Sequence, residues 1–296
     1  MKQEATAAHV VVGLGEVLWD CIGETRHPGG APANVAFHAA QLGCRGVVCS
    51  RVGADALGDE FLTFLQSQGL ETAFVQRDPE HPTGRATVDA SVPGRPQFII
   101  HENVAWDCLA FDEPTRELMA QADAVCFGTL AQRSETSRET IHRCLASLRL
   151  GCLKVYDVNL RQSYYTRERI ERSLAAADLV KLNVDEAGVL APLLELRPDA
   201  ASRRTEFHSV RDPERRIGEP ELASFARSVC ERFAVETVCI TRAERGCLVC
   251  SGSEVVDLPG RAVEVVDAVG AGDAFTAALI LARLERWPLR AGAAFA

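Results

Sequence analysis

Asp267-Ala268-Val269-Gly270-Ala271-Gly272-Asp273-Ala274-Phe275 is the stretch from which the rest of the chain can be read. The apolar, β-branched run Ala262–Val266 before it predicts a strand. The run Ala274–Leu284 after it is nearly all apolar or small and predicts a buried helix, too short to span a membrane. A small-residue turn at a strand–helix junction aims free backbone N–H groups and the positive end of a helix dipole at one spot. Asp273 stands at the helix start. It is either a cap that satisfies the helix or a carboxylate beside an anion, able to take a proton from an attacking hydroxyl. The residues alone leave both readings open, as they leave the turn open between an anion nest and a close-packed helix start.

Composition narrows the classes. The chain has 296 residues and a formal net charge of −9, against the basic footprint of a nucleic-acid binder. Eleven scattered cysteines predict free thiols and a reducing compartment. Only Cys247–Cys250 has Cys-x-x-Cys spacing; it lies in an apolar run with no second pair, which predicts a core strand rather than a zinc knuckle. No secretory pattern opens the sequence and no apolar run approaches membrane-helix length, which predicts a cytoplasmic, soluble protein without a membrane partner.

Working outward, His9–Leu14 reads as a first core strand leaving the core towards Asp20. Gly13-x-Gly15 lacks the third glycine and the following helix of a dinucleotide fingerprint, which excludes a Rossmann dehydrogenase. Gly29-Gly30-Ala31-Pro32-Ala33-Asn34 enters a helix ended by Gly43. Gly46–Gly53 is a strand and Asp55–Leu65 an amphipathic helix. Ala86–Val92, Pro93–Pro96 and Gln97–His101 read as a hairpin with one exposed face. Strands at Ala124–Leu130, Leu153–Arg161, Leu179–Asn183, Val235–Arg242 and Gly246–Cys250 alternate with helices near Thr136–Leu148 and Arg167–Ala176. Pro198–Pro220 reads as a polar surface insertion. The alternation implies an α/β fold with a mainly parallel sheet covered on both faces. Ligands of such sheets bind at the carboxyl ends of the strands. Polar residues collect there: Asp20, Asp157 with Asn159 and Arg161, Asn183 with Glu186, Thr241 with Arg242, and the Asp267–Asp273 turn.

As a string, Asp-x-Val-Gly-Ala-Gly-Asp-Ala-Phe resembles the C-terminal signature of the ribokinase-like (PfkB) sugar kinases. Gly-Gly-Ala-Pro-Ala-Asn resembles the sugar-binding signature of their fructokinase-like branch. Arg51-Val-Gly-x-Asp-x-Leu-Gly, Asp157-x-Asn159-x-Arg161, Lys181-x-Asn183-x-x-Glu186 and Thr241-Arg242 are similar to inner motifs of the same family. The resemblance implies a ribokinase-like three-layer sandwich in a single domain over 1–296. It implies a small β lid built from about 16–30 and 83–104, through which two copies can pair as a homodimer.

It implies an ATP-dependent transfer of the γ-phosphoryl group to a primary hydroxyl of a small sugar, D-fructose first. The alternatives are ribose or 2-keto-3-deoxygluconate, or a catalytically impaired sugar-binding or regulatory relative. By the resemblance Asp273 is the catalytic base. Gly270, Ala271 and Gly272 form the anion turn, and Arg161 helps neutralise the transferring phosphate. Asp20, Gly29, Gly30 and Asn34 bind the sugar. Asn183, Thr241, Arg242, Gly246, Gly270 and Gly272 lie along the nucleotide. Glu186 and Asn183 organise magnesium (Mg²⁺), mainly through water, and Asp267 is a candidate for a monovalent cation such as potassium (K⁺). Asp273 is expected as an ionised, weak base with an ordinary carboxylate pKa of about 3.9. Ala268 and Ala243 depart from the family pattern. The sequence also ends, at Ala296, before the C-terminal segment that the pattern carries.

Overall fold

The computed structural model describes residues 8–89, 97–196 and 219–296. The Pro93–Pro96 turn and most of the Pro198–Pro220 insertion lie outside them. Thirteen strands are described: β1 Val10–Leu14, β2 Leu18–Ile22, β3 Thr25–Gly29, β4 Arg45–Gly53, β5 Val75–Asp78, β6 Arg85–Asp89, β7 Gln97–Ile100, β8 Ala124–Gly128, β9 Leu153–Asp157, β10 Leu179–Asn183, β11 Thr237–Thr241, β12 Cys247–Ser251 and β13 Glu254–Leu258. The helices are α1 Ala31–Gln41, α2 Ala56–Ser67, α3 Glu113–Gln121, α4 Glu135–Ala146, α5 Arg167–Ala176, α6 Val184–Leu193, α7 Glu219–Phe233, α8 Ala271–Leu284 and α9 Leu289–Phe295.

Nine strands form one sheet in the order β13-β12-β11-β10-β9-β8-β1-β4-β5. It is parallel from β11 to β5 and antiparallel across β11–β12–β13. Its inner strands read as continuous apolar runs because both faces are covered. Val11, Cys126 and Val155 bury one face beneath α1, α8 and α9, whose Val35, Ala277, Ile280 and Ala293 meet them. Val12, Val125, Phe127 and Tyr156 bury the other beneath α3 to α7. The rings of Phe127 and Tyr156 stack at 5.2 Å, and the Tyr156 hydroxyl meets Thr129 Oγ1 at 2.6 Å, so the aromatic body is buried with its polar tip satisfied. The layers are helix, sheet, helix.

β3, β2, β6 and β7 form a separate four-stranded sheet. Asp20 therefore sits on β2, opposite His27 of β3, rather than at the end of β1. The expected strand at Ala262–Val266 is absent. Residues 261–266 run as an irregular segment with Val263, Val265 and Val266 at 73%, 69% and 96% exposure. β-Branched composition makes a strand only where a neighbouring strand offers a pairing edge. The Cys247–Cys250 pair is divided between the two faces of β12, Cys247 in one core cluster and Cys250 in the other, so the two thiols cannot share a metal ion. All eleven cysteines are free. Among the described residues no helix is long and apolar enough to cross a membrane.

Candidate active site

The N-terminus of α8 is capped by Gly270 in the left-handed region, φ 75°, with no side-chain cap. Such a cap favours glycine and lets the chain turn sharply into the helix. Among the described residues no acceptor closes on the N–H of Gly270 or Gly272, whereas Asp273 N–H donates to Gly270 O at 3.0 Å. The turn can therefore take an anion. A Cβ on Gly272 would come within 3.0 Å of Lys181 Nζ, so the ammonium underlies the turn closely.

Asp273 is the third residue of the helix, not its cap. Its Oδ2 accepts 2.7 Å from Nδ2 of Asn34, across from α1. Burial pushes its pKa up to about 6, the nearby Asp157 charge adds to the rise, and the Asn34 hydrogen bond with the Lys181 and Arg161 charges opposes it. This corrects the expectation of an ordinary, weakly basic carboxylate. The helix dipole is outweighed by the loss of water.

Behind Asp273, the buried Asp157 at the end of β9 receives Lys181 Nζ at 3.2 Å on both oxygens and the Thr276 hydroxyl at 3.1 Å. Burial lowers the Lys181 pKa, but the Asp157, Glu186 and Asp273 charges outweigh it and hold the pKa above the ordinary value. Glu16, 2% exposed, leaves Oε2 without a hydrogen-bond partner. Its pKa is pushed up to about 7 by burial, against its own backbone N–H and Arg161, with Asp273 and Asp157 reinforcing the rise. The Arg161 charge opposes the rise in pKa at Glu16, Asp20 and Asp273 alike.

On the side of the four-stranded sheet, Gly29 lies against Asp20: a Cβ there would meet Asp20 Oδ2 at 2.6 Å. Burial raises the Asp20 pKa, with Arg161 and His27 opposing. Gly30 caps α1 at φ 118°, 2.4 Å from Glu16 O at its would-be Cβ, and so locks the α1 entry onto the β1–β2 connection. A cavity of about 200 Å³ opens beside this group, lined by Gly29, Asn34 and Gly270 together with Phe37, Phe61 and Phe64.

Asn183 caps α6. Its Oδ1 accepts Glu186 N–H at 2.9 Å and its own N–H donates to Glu186 Oε2 at 2.8 Å, a reciprocal capping box. Glu186 Oε1 also accepts Leu160 N–H at 2.9 Å, and burial raises its pKa. Each oxygen keeps a lone pair. Thr241, half-buried at the end of β11, reaches Leu182 O at 3.4 Å. The guanidinium of the buried Arg242 donates to Asp257, Leu258 O and Cys247 O and so ties β13 down. Gly246 is held at φ 86° against Leu258 O. Asp267 closes an exposed turn onto Val269 N–H at 2.9 Å.

Glu16, Asp157, Glu186 and Asp273 share their field with two cations, Lys181 and Arg161. That carboxylate excess suits a divalent cation arriving with a polyphosphate.

A profile of the pfkB family carbohydrate kinases matches residues 7–296. The chain belongs to this family. The fructokinase of Salmonella typhimurium is 27% identical over 279 residues, covering 90% of this chain and 82% of that protein. A sugar kinase of Pyrococcus horikoshii, PH1459, solved in complex with ATP, is 25% identical with a TM-score of 0.76, covering 97% of this chain and 89% of that one. The fructokinase of Vibrio cholerae, solved with fructose, ADP and calcium, shares the fold at 23% identity and a TM-score of 0.71, over 94% and 84% of the two chains. The chain is a ribokinase-like phosphotransferase acting on a sugar alcohol group.

Sequence reading of this kinase left out Glu16, Lys181 and Thr276 as site residues. Lys181 and Asp157 stand 24 positions apart, and Thr276 and Asp157 stand 119 apart. Their contacts exist only once β9, β10 and α8 are assembled. A lysine inside the apolar strand Leu179–Asn183 was the available signal, since a buried lysine requires a partner.

Proposed function

We propose that this kinase transfers the γ-phosphoryl group of ATP to a primary hydroxyl of D-fructose. The observation that carries the mechanism is the buried Asp273 carboxylate at the open N-terminus of α8, hydrogen-bonded to Asn34 and with its pKa raised to about 6.

The sugar lies between Asp20, Gly29, Gly30 and Asn34, its acceptor hydroxyl on the free Oδ1 of Asp273. Asn34 holds Oδ2 and so fixes the direction of the other oxygen. As the hydroxyl oxygen attacks phosphorus in line, its proton passes to Asp273, whose raised pKa makes it a stronger acceptor than an exposed aspartate. The Gly270 and Gly272 N–H groups receive the charge gathering on the phosphoryl oxygens, and Arg161 offers a second set of donors. Lys181, held by Asp157, supports the turn from below and sets an ammonium close beneath Gly272. Glu186 and Asn183 would hold a divalent cation that arrives with ATP, and the cation would supply neutralisation of phosphate charge. Thr241 and the backbone at Gly246 border the nucleotide, and Arg242 acts as a strut for that wall. The fructokinases among the relatives support fructose as the acceptor.

The test is sugar-dependent ATP consumption with D-fructose, D-ribose and 2-keto-3-deoxygluconate. The highest kcat/KM is expected for D-fructose. Preference for either of the others moves the assignment to that sugar, and ATP consumption independent of all three removes it.

A further inference from the structure

A second group of reactive side chains lies outside the phosphoryl-transfer site, where the connection from β5 to β6 meets the turn after β7. Asp78 ends β5 and is 2% exposed. Its Oδ1 accepts the N–H of Glu80 at 2.8 Å and of His81 at 3.0 Å. Its Oδ2 stands 3.1 Å from His81 Nδ1 and 2.8 Å from Arg51 Nε. The other nitrogen of the ring, Nε2, stands 3.7 Å from Sγ of Cys108, which ends the 3-10 turn Ala105–Cys108. Arg51 also donates from Nη1 to the Cys108 carbonyl at 2.9 Å. Thiol, imidazole and carboxylate stand in the order nucleophile, base and orienting acid.

We propose that Cys108 is a nucleophilic thiol served by His81 and Asp78, and that it is a site of reversible modification by small disulfides at the root of the four-stranded sheet. The step balances without an added oxidant. Sγ attacks one sulfur of R–S–S–R′, the Cys108–S–S–R bond forms, and the original disulfide breaks. The thiol proton passes to Nε2 and then to the departing R′–S⁻, which leaves as R′–SH.

The three side chains each offer a ligand atom within 4.8 Å of the others, so a metal ion is the competing occupant. The ring argues against it. One imidazole nitrogen must face an ion, but here the two nitrogens are divided between thiol and carboxylate. The Arg51 guanidinium on Asp78 would also oppose an incoming cation. Burial and the Asp78 charge raise the Cys108 pKa while Arg51 lowers it. The resting form is thus S–H, and attack needs a base that takes the proton as the new bond forms, which is the place His81 occupies.

Access narrows the candidates to four, of which Cys108 has the imidazole and carboxylate beside it. Cys49, Cys126, Cys144, Cys152, Cys239, Cys247 and Cys250 are buried; Cys21, Cys44, Cys108 and Cys230 are half-exposed. The consequence for catalysis rests on the kinase reading above. Pro82 O, next to His81, accepts Ala105 N–H at 2.8 Å, and Thr83 N–H bonds Asp55 at 2.8 Å. An adduct on Cys108 displaces His81 and disturbs the segment that leads into β6, beneath the proposed sugar site.

The experiment treats the parent protein with oxidised glutathione and follows each cysteine by peptide mass mapping. Cys108 is expected to be modified first, about tenfold or more ahead of Cys21, Cys44 and Cys230, as general-base assistance allows. His81→Gln should remove that lead, and the adduct should slow sugar-dependent turnover several-fold, restored by dithiothreitol. Cys108→Ser should keep parental turnover and be indifferent to the reagent. Modification of Cys108 no faster than the other three overturns the proposal and needs no variant to fold. A His81→Gln protein with parental melting temperature and parental labelling overturns it too, as does stoichiometric Zn²⁺ protection of Cys108, which assigns the cluster to a metal. Labelled protein with parental turnover overturns the catalytic consequence. The order of labelling is read without any kinase activity, so it stands or falls separately from the assigned reaction.

Discussion

At the scale of the residue, the decisive feature is that Asp273 spends its side chain on Asn34 rather than on the helix it begins. A helix cap would tolerate asparagine; a proton acceptor would not. Asp273→Asn is expected to lower sugar-dependent turnover by about 10²–10⁴-fold, the usual worth of a general base, with the melting temperature near parental. Parental turnover in a folded variant would leave Asp273 with a structural role only. The raised pKa adds a pH signature. A carboxylate accepts a proton only when ionised, so kcat/KM should fall as pH drops through about 6. The Asn34 hydrogen bond favours the ionised form, so its loss should raise the Asp273 pKa further. Asn34→Ala should therefore move the acid limb to higher pH as well as raise KM for the sugar. An unmoved limb would separate Asn34 from the base.

At the scale of the element, the α2 entry shows how one side chain joins both sheets. Asp55 caps α2 by accepting Gly58 N–H at 2.8 Å, and it also holds Thr83 through N at 2.8 Å and Oγ1 at 2.6 Å. Thr83 Oγ1 in turn accepts Gly53 N–H at 3.0 Å at the end of β4. Asp55→Ala is expected to cost at least the roughly 0.5–2 kcal/mol of a cap, read as a lower denaturant midpoint with unchanged m, while Asp55→Asn keeps the Gly58 cap, sets its amide nitrogen against the Thr83 N–H and falls between the parent and the alanine variant. A midpoint unmoved by the alanine would deny the junction any energetic role. The same scale decides what the sequence could disclose. α5 and β10 were legible to the residue, because their caps and apolar spacing are local. The strand expected at Ala262–Val266 failed because valine content says nothing of a partner strand. β13 was missed because Glu254–Leu258 has a weak alternation that only pairing with β12 completes. In the site, the Gly270–Asp273 turn was legible as a continuous motif. The Asp157–Lys181–Thr276 group was not, since three separate elements bring it together.

At the scale of the whole molecule, the site concentrates buried carboxylates at a cost to the fold. Glu16 is buried with one oxygen unpartnered, and its pKa is pushed up to about 7 by burial. A carboxylate whose folded pKa exceeds its unfolded value binds more protons in the folded state over that interval. Stability then falls as pH rises, here from about 4.5 to about 7. The full shift corresponds to roughly 3 kcal/mol at neutral pH, an order-of-magnitude figure. The bare melting curve would not isolate it. His142, pushed down to about 4 by burial with the Arg172 charge assisting, carries the opposite sign and gains stability as pH rises through the same range. The comparison of Glu16→Gln with the parent cancels the histidine, because His142 is common to both. At pH 5 both proteins hold a neutral group at position 16, and their melting temperatures should lie close together. By pH 8 the parent carries a buried charge and the variant does not, so the variant should be the more stable, with the gap opening between pH 5 and 7. A gap that stays constant from pH 5 to pH 8 would mean that Glu16 keeps an ordinary carboxylate pKa and already carries its charge beside Asp273 throughout that range.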